Sequence, residues 1–305
     1  MRTEKWMKNI PDETPLSMIS IPGTHDSAAR FTTAPTPRIF CCQDMSVKNQ
    51  LLSGARFLDI RLILSHNKFK AVHFFIRCRK EKELSSGTLL FDDILCDTAE
   101  FLKENPTETV IVSIKMDFGV NVKDFYKSFR SRYIDSQKDL WHTENKIPKL
   151  GAVRGKIVLM RRCMLGTNDL SSDDNGLDFS RLYDFSYWED QKGTDSPLPL
   201  PCWFGNEKNE KAIIQDRYAL KKEEKWQSAV TTMLGDYRPH KNIMALNFLS
   251  TRGNPRENAE YINKMFSEYS LPDKPFGIII FDFLTEALAE KVINTNTEGK
   301  DESDI

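Results

Sequence analysis

Phe57-Leu58-Asp59-Ile60-Arg61-Leu62-Ile63-Leu64 changes character at every second residue. Successive side chains of a β-strand point to opposite faces, so Leu58, Ile60, Leu62 and Leu64 share one face while Phe57, Asp59 and Arg61 share the other. The first face suits packing against helices. The second carries opposite charges near the end of the strand, where burial is tolerable only if they pair. The segment TVIVSIK (109–115) repeats the pattern: Val110, Val112 and Ile114 oppose Ile111, Ser113 and Lys115, and charge again arrives at the C-terminal end.

Working outward, further β-rich runs are MISI (18–21), FKAVHFF (69–75), KIVLMRR (156–162), NIMALNF (242–248) and FGIIIFDF (276–283), with a short eighth strand near Cys202 to Phe204. Amphipathic stretches separate them. Asp92 to Glu104, for example, places Ile94, Leu95, Ala99, Phe101 and Leu102 along one side and stops at Asn105-Pro106. Alternating β and α elements imply a parallel sheet, either an open doubly wound one or a closed barrel. Polar residues break the tie. His25, Arg162, Asn247 and Asp282 also fall at C-terminal strand ends, where barrel enzymes gather their chemistry. The expected fold is α/β, a single, slightly irregular (β/α)8 barrel of the TIM type over residues 1–292. The stretch 171–180 reads as an exposed loop, and the polar, acidic residues 293–305 as a disordered tail.

Composition removes several classes of function. Forty-three Lys and Arg nearly cancel forty-four Asp and Glu, so no global field favours nucleic acid. No apolar run approaches the ~18 residues needed to cross a bilayer. Met1 to Glu13 lack a secretory signal, which points to a cytoplasmic protein, peripheral at membranes, and a monomer is expected. Cys41, Cys42, Cys78, Cys96, Cys163 and Cys202 form no C-x-x-C pair and read as reduced, packed thiols.

The segment ISIPGTHDSAA (19–29) sets a strand, a Pro-Gly turn and then Thr24-His25-Asp26-Ser27 at the expected barrel mouth. Taken alone, Thr24 or Asp26 reads as a helix cap and His25 as a surface residue. A lone His73 within FKAVHFF likewise reads as a core histidine. Beside Asp59 and Arg61 the two gain another meaning, because two imidazoles and a guanidinium would converge in one lumen. Phosphodiester cleavage needs a base for the attacking hydroxyl, an acid for the leaving alkoxide and positive charge on the phosphoryl oxygens. Histidine fills both proton roles near neutral pH, and arginine offers phosphate a planar fork. His66, His142 and His240 have no such neighbours in sequence and read as surface residues.

Six segments in order, 6–27, 54–62, 101–115, 154–162, 213–218 and 276–283, resemble the X-domain phosphatidylinositol-specific phospholipases C, in particular the small bacterial-type ones. The resemblance implies cleavage of phosphatidylinositol, or a glycosylphosphatidylinositol, to diacylglycerol and inositol 1,2-cyclic phosphate. By motif, His25 resembles the general base, oriented by Asp282. His73 resembles the general acid, supported by Asp26, and Asp59 holds Arg61 for the phosphate. Lys115, Arg162 and Asp216 resemble the groups that bind inositol hydroxyls, and Tyr218 the ring beneath the sugar. Structural alternatives are an ion pair for Lys115 and a helix cap for Asp216. Strand alternation lets only one of Arg161 and Arg162 face inward, and the motif favours Arg162.

No cofactor and no metal is expected, because Arg61 brings a fixed positive charge to the strand where calcium-dependent relatives place ligand oxygens. Transient membrane contact is expected from the mouth loops, through Phe31, Phe40, Cys41 and Cys42 beside Arg30 and Arg38, with Trp203, Phe204 or Tyr237 adding to the rim. One departure stands out: family members usually carry glycine after the second histidine, and here Phe74 follows His73. Two alternatives remain, a metal-dependent glycerophosphodiesterase and an inositol-lipid-binding barrel with weak or no turnover.

Overall fold

Alternation in Phe57–Ser65 works out as the side-chain periodicity requires: Phe57 and Asp59 point into the interior of a curved sheet, Leu58, Ile60 and Leu62 out toward helices. The computed structural model describes residues 2–34, 36, 39–117, 122–166, 172–180, 202–204 and 210–296. Its strands, in chain order, are β1 Ile21–Thr24, β2 Phe31–Thr32, β3 Phe57–Ser65, β4 Lys68–His73, β5 Ile76–Arg79, β6 Val110–Met116, β7 Trp141–His142, β8 Ile157–Arg161, β9 Leu177–Asp178, β10 Cys202–Phe204, β11 Glu210–Gln215, β12 Ile243–Phe248 and β13 Ile278–Phe281.

Eight of these run parallel, side by side, in the order β11-β12-β13-β1-β3-β6-β8-β9. One apolar cluster draws side chains from all eight, including Ile21, Phe57, Ile111, Met160, Leu177, Ile214, Leu246 and Phe281, as a sheet curled on itself does. Among the described residues no pairing joins β9 to β10 or β11, so the closure is irregular there. On the outer face Leu58, Ile60, Val110, Val112 and Ile114 pack against Phe91, Ile94 and Phe101 of the helix Phe91–Glu104 and against Phe125, Phe129 and Tyr133. That helix stops at Asn105, whose side-chain amide donates to the Phe101 carbonyl at 2.8 Å and whose backbone leaves the helical region.

Several sequence expectations change. The first barrel strand is Ile21–Thr24 rather than 18–21, so Pro22 and Gly23 lie in the strand instead of a turn. Pairing to β3 begins only at Gly23 opposite Phe57, so the N–H that Pro22 lacks falls before the ladder starts. Gly23 permits the close approach, since a Cβ there would lie 2.9 Å from Phe57. FKAVHFF is no barrel strand. His66 and Asn67, at φ +51° and +55°, make a two-residue turn, and β4 folds back antiparallel onto β3. Cys202–Phe204 is a strand, but an antiparallel one beside β11.

The barrel regains its count from two segments that periodicity did not reveal, Glu210–Gln215 and Leu177–Asp178. The second lies in the stretch expected to be an exposed loop, and Asn175 through Ser180 are buried. Asp178 is buried on the outer side of the barrel because it pairs there with the buried Arg161 at 2.8 Å. At the C-terminus the ordered chain passes residue 292: Thr295 and Asn296 hydrogen-bond Ser20, tying the end of the helix Glu286–Asn294 to the chain just before β1. The rest of the expected tail, 297–305, lies outside the described residues. No described helix is long and apolar enough to cross a membrane.

Candidate active site

His25 owes its position to β1. Its backbone N–H continues the ladder by donating to the Phe281 carbonyl at 2.9 Å, which sets its ring beside Asp282. Nδ1 lies 2.7 Å from Asp282 Oδ1, and Nε2 lies 2.7 Å from Arg61 Nη2. A guanidinium can only donate, so Nε2 presents its lone pair and Nδ1–H donates to the carboxylate. In its neutral form the imidazole thus turns its basic nitrogen to the cavity. Burial works most strongly against charge on His25, and Arg61 adds to this, yet Asp282 and Asp26 outweigh them and its pKa ends raised above 6.5.

The chain then turns at Asp26, which takes a left-handed φ of +41°, while Ser27 N–H donates to the Asp59 carbonyl at 2.9 Å. Asp26 Oδ2 becomes the hub of the site: it lies 3.1 Å from Arg61 Nη1, 3.5 Å from His25 Nε2 and 3.4 Å from His73 Nε2. The β3–β4 hairpin returns His73 to the mouth. There Nδ1 meets the Phe40 carbonyl at 2.9 Å, leaving Nε2 to face Asp26. The two imidazoles stand edge to face, 6.4 Å between centroids.

Asp59 holds two arginines. Oδ2 accepts from Arg61 Nε and Nη2 at 3.3 and 3.2 Å, and Oδ1 from Arg162 Nη1 at 2.9 Å. Burial alone would raise its pKa, but Arg61 and then Arg162 hold the carboxyl well below the usual range. Arg61 is pushed the other way, charged more firmly than usual despite burial because Asp26, Asp59 and Asp117 face it. Arg161, one residue before Arg162, points outward to Asp178 and sits over the Tyr126 ring, as strand alternation requires.

Asp117 escaped the sequence reading. It lies 2.9 Å from Lys115 Nζ and 3.9 Å from Arg61 Nη1, and accepts from the Phe74 N–H at 3.1 Å. Two-residue alternation continued one step past Lys115 would have found it. Gln43, also missed, bonds the carbonyls of His25 and Phe281 through one amide group and so braces the base. Nothing in its local sequence marks it.

These groups open into one cavity of about 440 Å³, also lined by Lys115, Arg162, Asp216, Tyr218 and Cys42. All ten residues singled out from the sequence therefore lie at or beside it: Asp26 and Asp59 form the floor beneath the Arg61 fork, and the other eight line the wall. His25, Asp26 and Cys42 offer atoms close enough together to hold a metal ion. The donor set is poor for a cation, because the Arg61 fork already occupies His25 and Asp26 with fixed positive charge. Cys42 is buried 3.7 Å from His73, and burial, then Asp282 and Asp26, keep its thiol protonated. Cys41, Cys42, Cys78, Cys96 and Cys163 are unpaired.

The described residues expected at the membrane rim are partly or wholly covered. Phe31, Phe40 and Cys41 are half-buried and Cys42 is buried, because this loop packs over His73 rather than standing free. Tyr237 is buried at the other end of the barrel, its hydroxyl donating to the Ile243 carbonyl where β12 begins. Arg38 and the side chains of Trp203 and Phe204 lie outside the described residues. His142 is no free surface residue either; it is half-buried in β7 beside β8.

Residues 20–163 match the profile of the family described as phosphatidylinositol-specific phospholipase C, X domain. A Listeria monocytogenes protein named 1-phosphatidylinositol phosphodiesterase is 34% identical over 167 residues, 52% of this chain and 48% of the relative. The match thus spans about half the length of that curated relative. Over nearly the whole chain the fold is that of a phosphatidylinositol-specific phospholipase C from Listeria monocytogenes, with a TM-score of 0.71, 26% identity and coverage of 97% and 99% of the two chains. The Staphylococcus aureus phosphatidylinositol-specific phospholipase C gives 0.74 at 23% identity, covering 96% and 97%. The fold is accordingly the irregular (β/α)8 barrel.

Proposed function

We propose that this chain, whose residues 20–163 match the X domain of phosphatidylinositol-specific phospholipase C, is an enzyme that cleaves phosphatidylinositol to diacylglycerol and inositol 1,2-cyclic phosphate. The observation that carries the reading is the shared carboxylate: Asp26 lies within 3.5 Å of Nε2 of both histidines and 3.1 Å from the Arg61 fork. An acid, a base and a phosphate-binding cation thus face one small volume.

In the proposed reaction the inositol 2-hydroxyl enters at His25 Nε2, taking the place of the Arg61 N–H. His25 accepts its proton as the oxygen attacks phosphorus. Asp282, on Nδ1, stabilises the imidazolium that forms. Freed toward the cavity, Arg61 donates to the non-bridging oxygens as negative charge grows on them. The bond from phosphorus to the glycerol oxygen breaks, and His73 Nε2 gives its proton to the departing alkoxide. Asp26, 3.4 Å from that nitrogen, orients the ring toward the cavity. In this reading Lys115, Arg162 and Asp216, which line the cavity, bind the ring hydroxyls, and Tyr218 lies against the apolar face of the sugar. A glycosylated phosphatidylinositol would be cleaved at the same bond.

Incubation with labelled phosphatidylinositol vesicles, with and without a chelator, tests the reading. Cyclic inositol phosphate and diacylglycerol at equal rates in both are expected. Loss of activity in chelator would favour a metal-dependent phosphodiesterase, and binding without product would favour a lipid-binding barrel.

A further inference from the structure

The turn after His73 is built from residues that such turns disfavour. Pairings of Val72 with Arg77 and of His73 with Ile76 leave Phe74 and Phe75 as the whole loop of the β4–β5 hairpin. Two-residue hairpin loops need left-handed backbone and are ordinarily filled by Asn, Asp or Gly. Phe74 sits at φ +54°, and the two phenylalanines are 55% and 66% exposed. Neither placement is explained by packing of the core.

Exposure is also uneven over the molecule. Among the described residues the exposed large apolar side chains are Ile39, Leu52, Phe74, Phe75 and Met164. All but Leu52 belong to the mouth end: Ile39 and Phe74 line the cavity, Phe75 adjoins Phe74, and Met164 follows the C-terminal end of β8 by three residues. Single exposed apolar residues need no explanation, but a group around an opening does. Exposed Arg77 follows on the same hairpin, and exposed Arg252 lies on the cavity rim. With a net charge of only −1 the chain has no global attraction for any surface, so local cations flanking aromatic rings are what an anionic bilayer would engage.

We infer that the Phe74–Phe75 hairpin tip is lowered into an anionic phospholipid bilayer, seating the cavity mouth on the membrane and bringing His73 over the lipid's glycerol oxygen. This rests on the reading of the substrate as a membrane lipid. Transfer of phenyl rings into acyl chains is favoured by the area removed from water, while Arg77 stays at head-group level. Tip and site are joined mechanically. The Phe74 ring stacks on His73 at 4.9 Å, and its N–H is held by Asp117, which also pairs with Lys115. Seating the tip therefore fixes the proton donor and one wall of the head-group pocket together.

The test uses the full chain, sedimented with phosphatidylcholine vesicles that contain or lack phosphatidylinositol. Phe75→Ser should weaken partition into the phosphatidylinositol vesicles by about tenfold or more, the scale for losing one buried phenyl ring. Its hydrolysis of a water-soluble, short-chain phosphatidylinositol should match wild type, with an unchanged thermal transition. In Phe75→Trp, the emission should move to the blue on adding vesicles. Partition of Phe75→Ser equal to wild type, or an unmoved Phe75→Trp spectrum, overturns the inference. So does a change in self-association by sedimentation equilibrium with vesicle binding intact, which would assign the tip to a second copy. Vesicle binding needs no turnover, so a chain that binds through Phe75 without cleaving lipid sinks the catalytic reading alone; cleavage with binding indifferent to Phe75 sinks only this one.

Discussion

Arg56, just before β3, and Arg61, midway along it, stand five residues apart; the first is fully buried and the second partly so, and they are held differently. Arg56 donates from Nε and Nη2 to Glu108 at 3.0 and 2.8 Å, and from its two terminal nitrogens to the carbonyls of Leu51, Ala55, Thr3 and Glu4. The Phe101 ring covers it at 4.5 Å. Arg61 instead ends on carboxylates and an imidazole, all movable, beside a cavity of about 440 Å³. A guanidinium saturated by backbone carbonyls is a fixed part of the fold. One held by side chains at an opening can exchange a partner for an incoming phosphate.

Substitutions can break or sharpen that contrast. The largest effect is expected at the cavity: His25→Ala should lower release of cyclic inositol phosphate by about a hundredfold to ten-thousandfold, the scale for a lost general base, with little change in thermal unfolding. Wild-type turnover would remove His25 from the proposed role. Arg61→Lys keeps the charge and loses the fork, so kcat should fall by about a hundredfold or more while vesicle binding holds. An unchanged kcat would place Arg61 with Arg56, as structure.

At Arg56 the expected loss is of stability instead. Arg56→Met strands Glu108 in the core and should cost about 3–5 kcal/mol in urea unfolding, with turnover per folded molecule unchanged. A smaller effect is the pH response. His25 must be neutral to accept a proton, and Asp282 and Asp26 raise its pKa above 6.5 in spite of burial, so kcat/KM should fall as pH drops through a value above 6.5. Asp282→Asn should move that limb to lower pH. Stability has a separate acid limb. The pKa values of Asp59 and Asp117 are lowered in the folded state, so their contribution is present above the ordinary carboxylate range and is lost as pH falls below about 4.

Charges at strand ends made the site legible before any coordinates. Asp59, Arg61 and Lys115 declare themselves by two-residue alternation within aliphatic strands, where an unpaired charge would be intolerable. The same rule lets only one of Arg161 and Arg162 face inward, and the family motif, not alternation, picks Arg162. Asp117 was within reach of alternation and was passed over because Met116 ends the apolar run. Gln43 was not legible: a buried amide bracing two carbonyls leaves no periodic trace. Exposure at the mouth was not legible either. Phe40 and Phe74 look alike as letters, and only the folded chain half-buries the first against His73 and exposes the second at a hairpin tip.

What the sequence by itself determined was the parallel α/β character and the set of residues meeting at the C-terminal strand ends, because alternation and charge burial are local constraints that each strand must satisfy alone. Tertiary structure decided which segments close the barrel, with Leu177–Asp178 in and Lys68–His73 out, and which atoms face each other across the cavity. Those outcomes depend on ladder partners and ion pairs far apart in the chain, such as Arg161 with Asp178 and His25 with Asp282, whose energies appear only when both partners are in place.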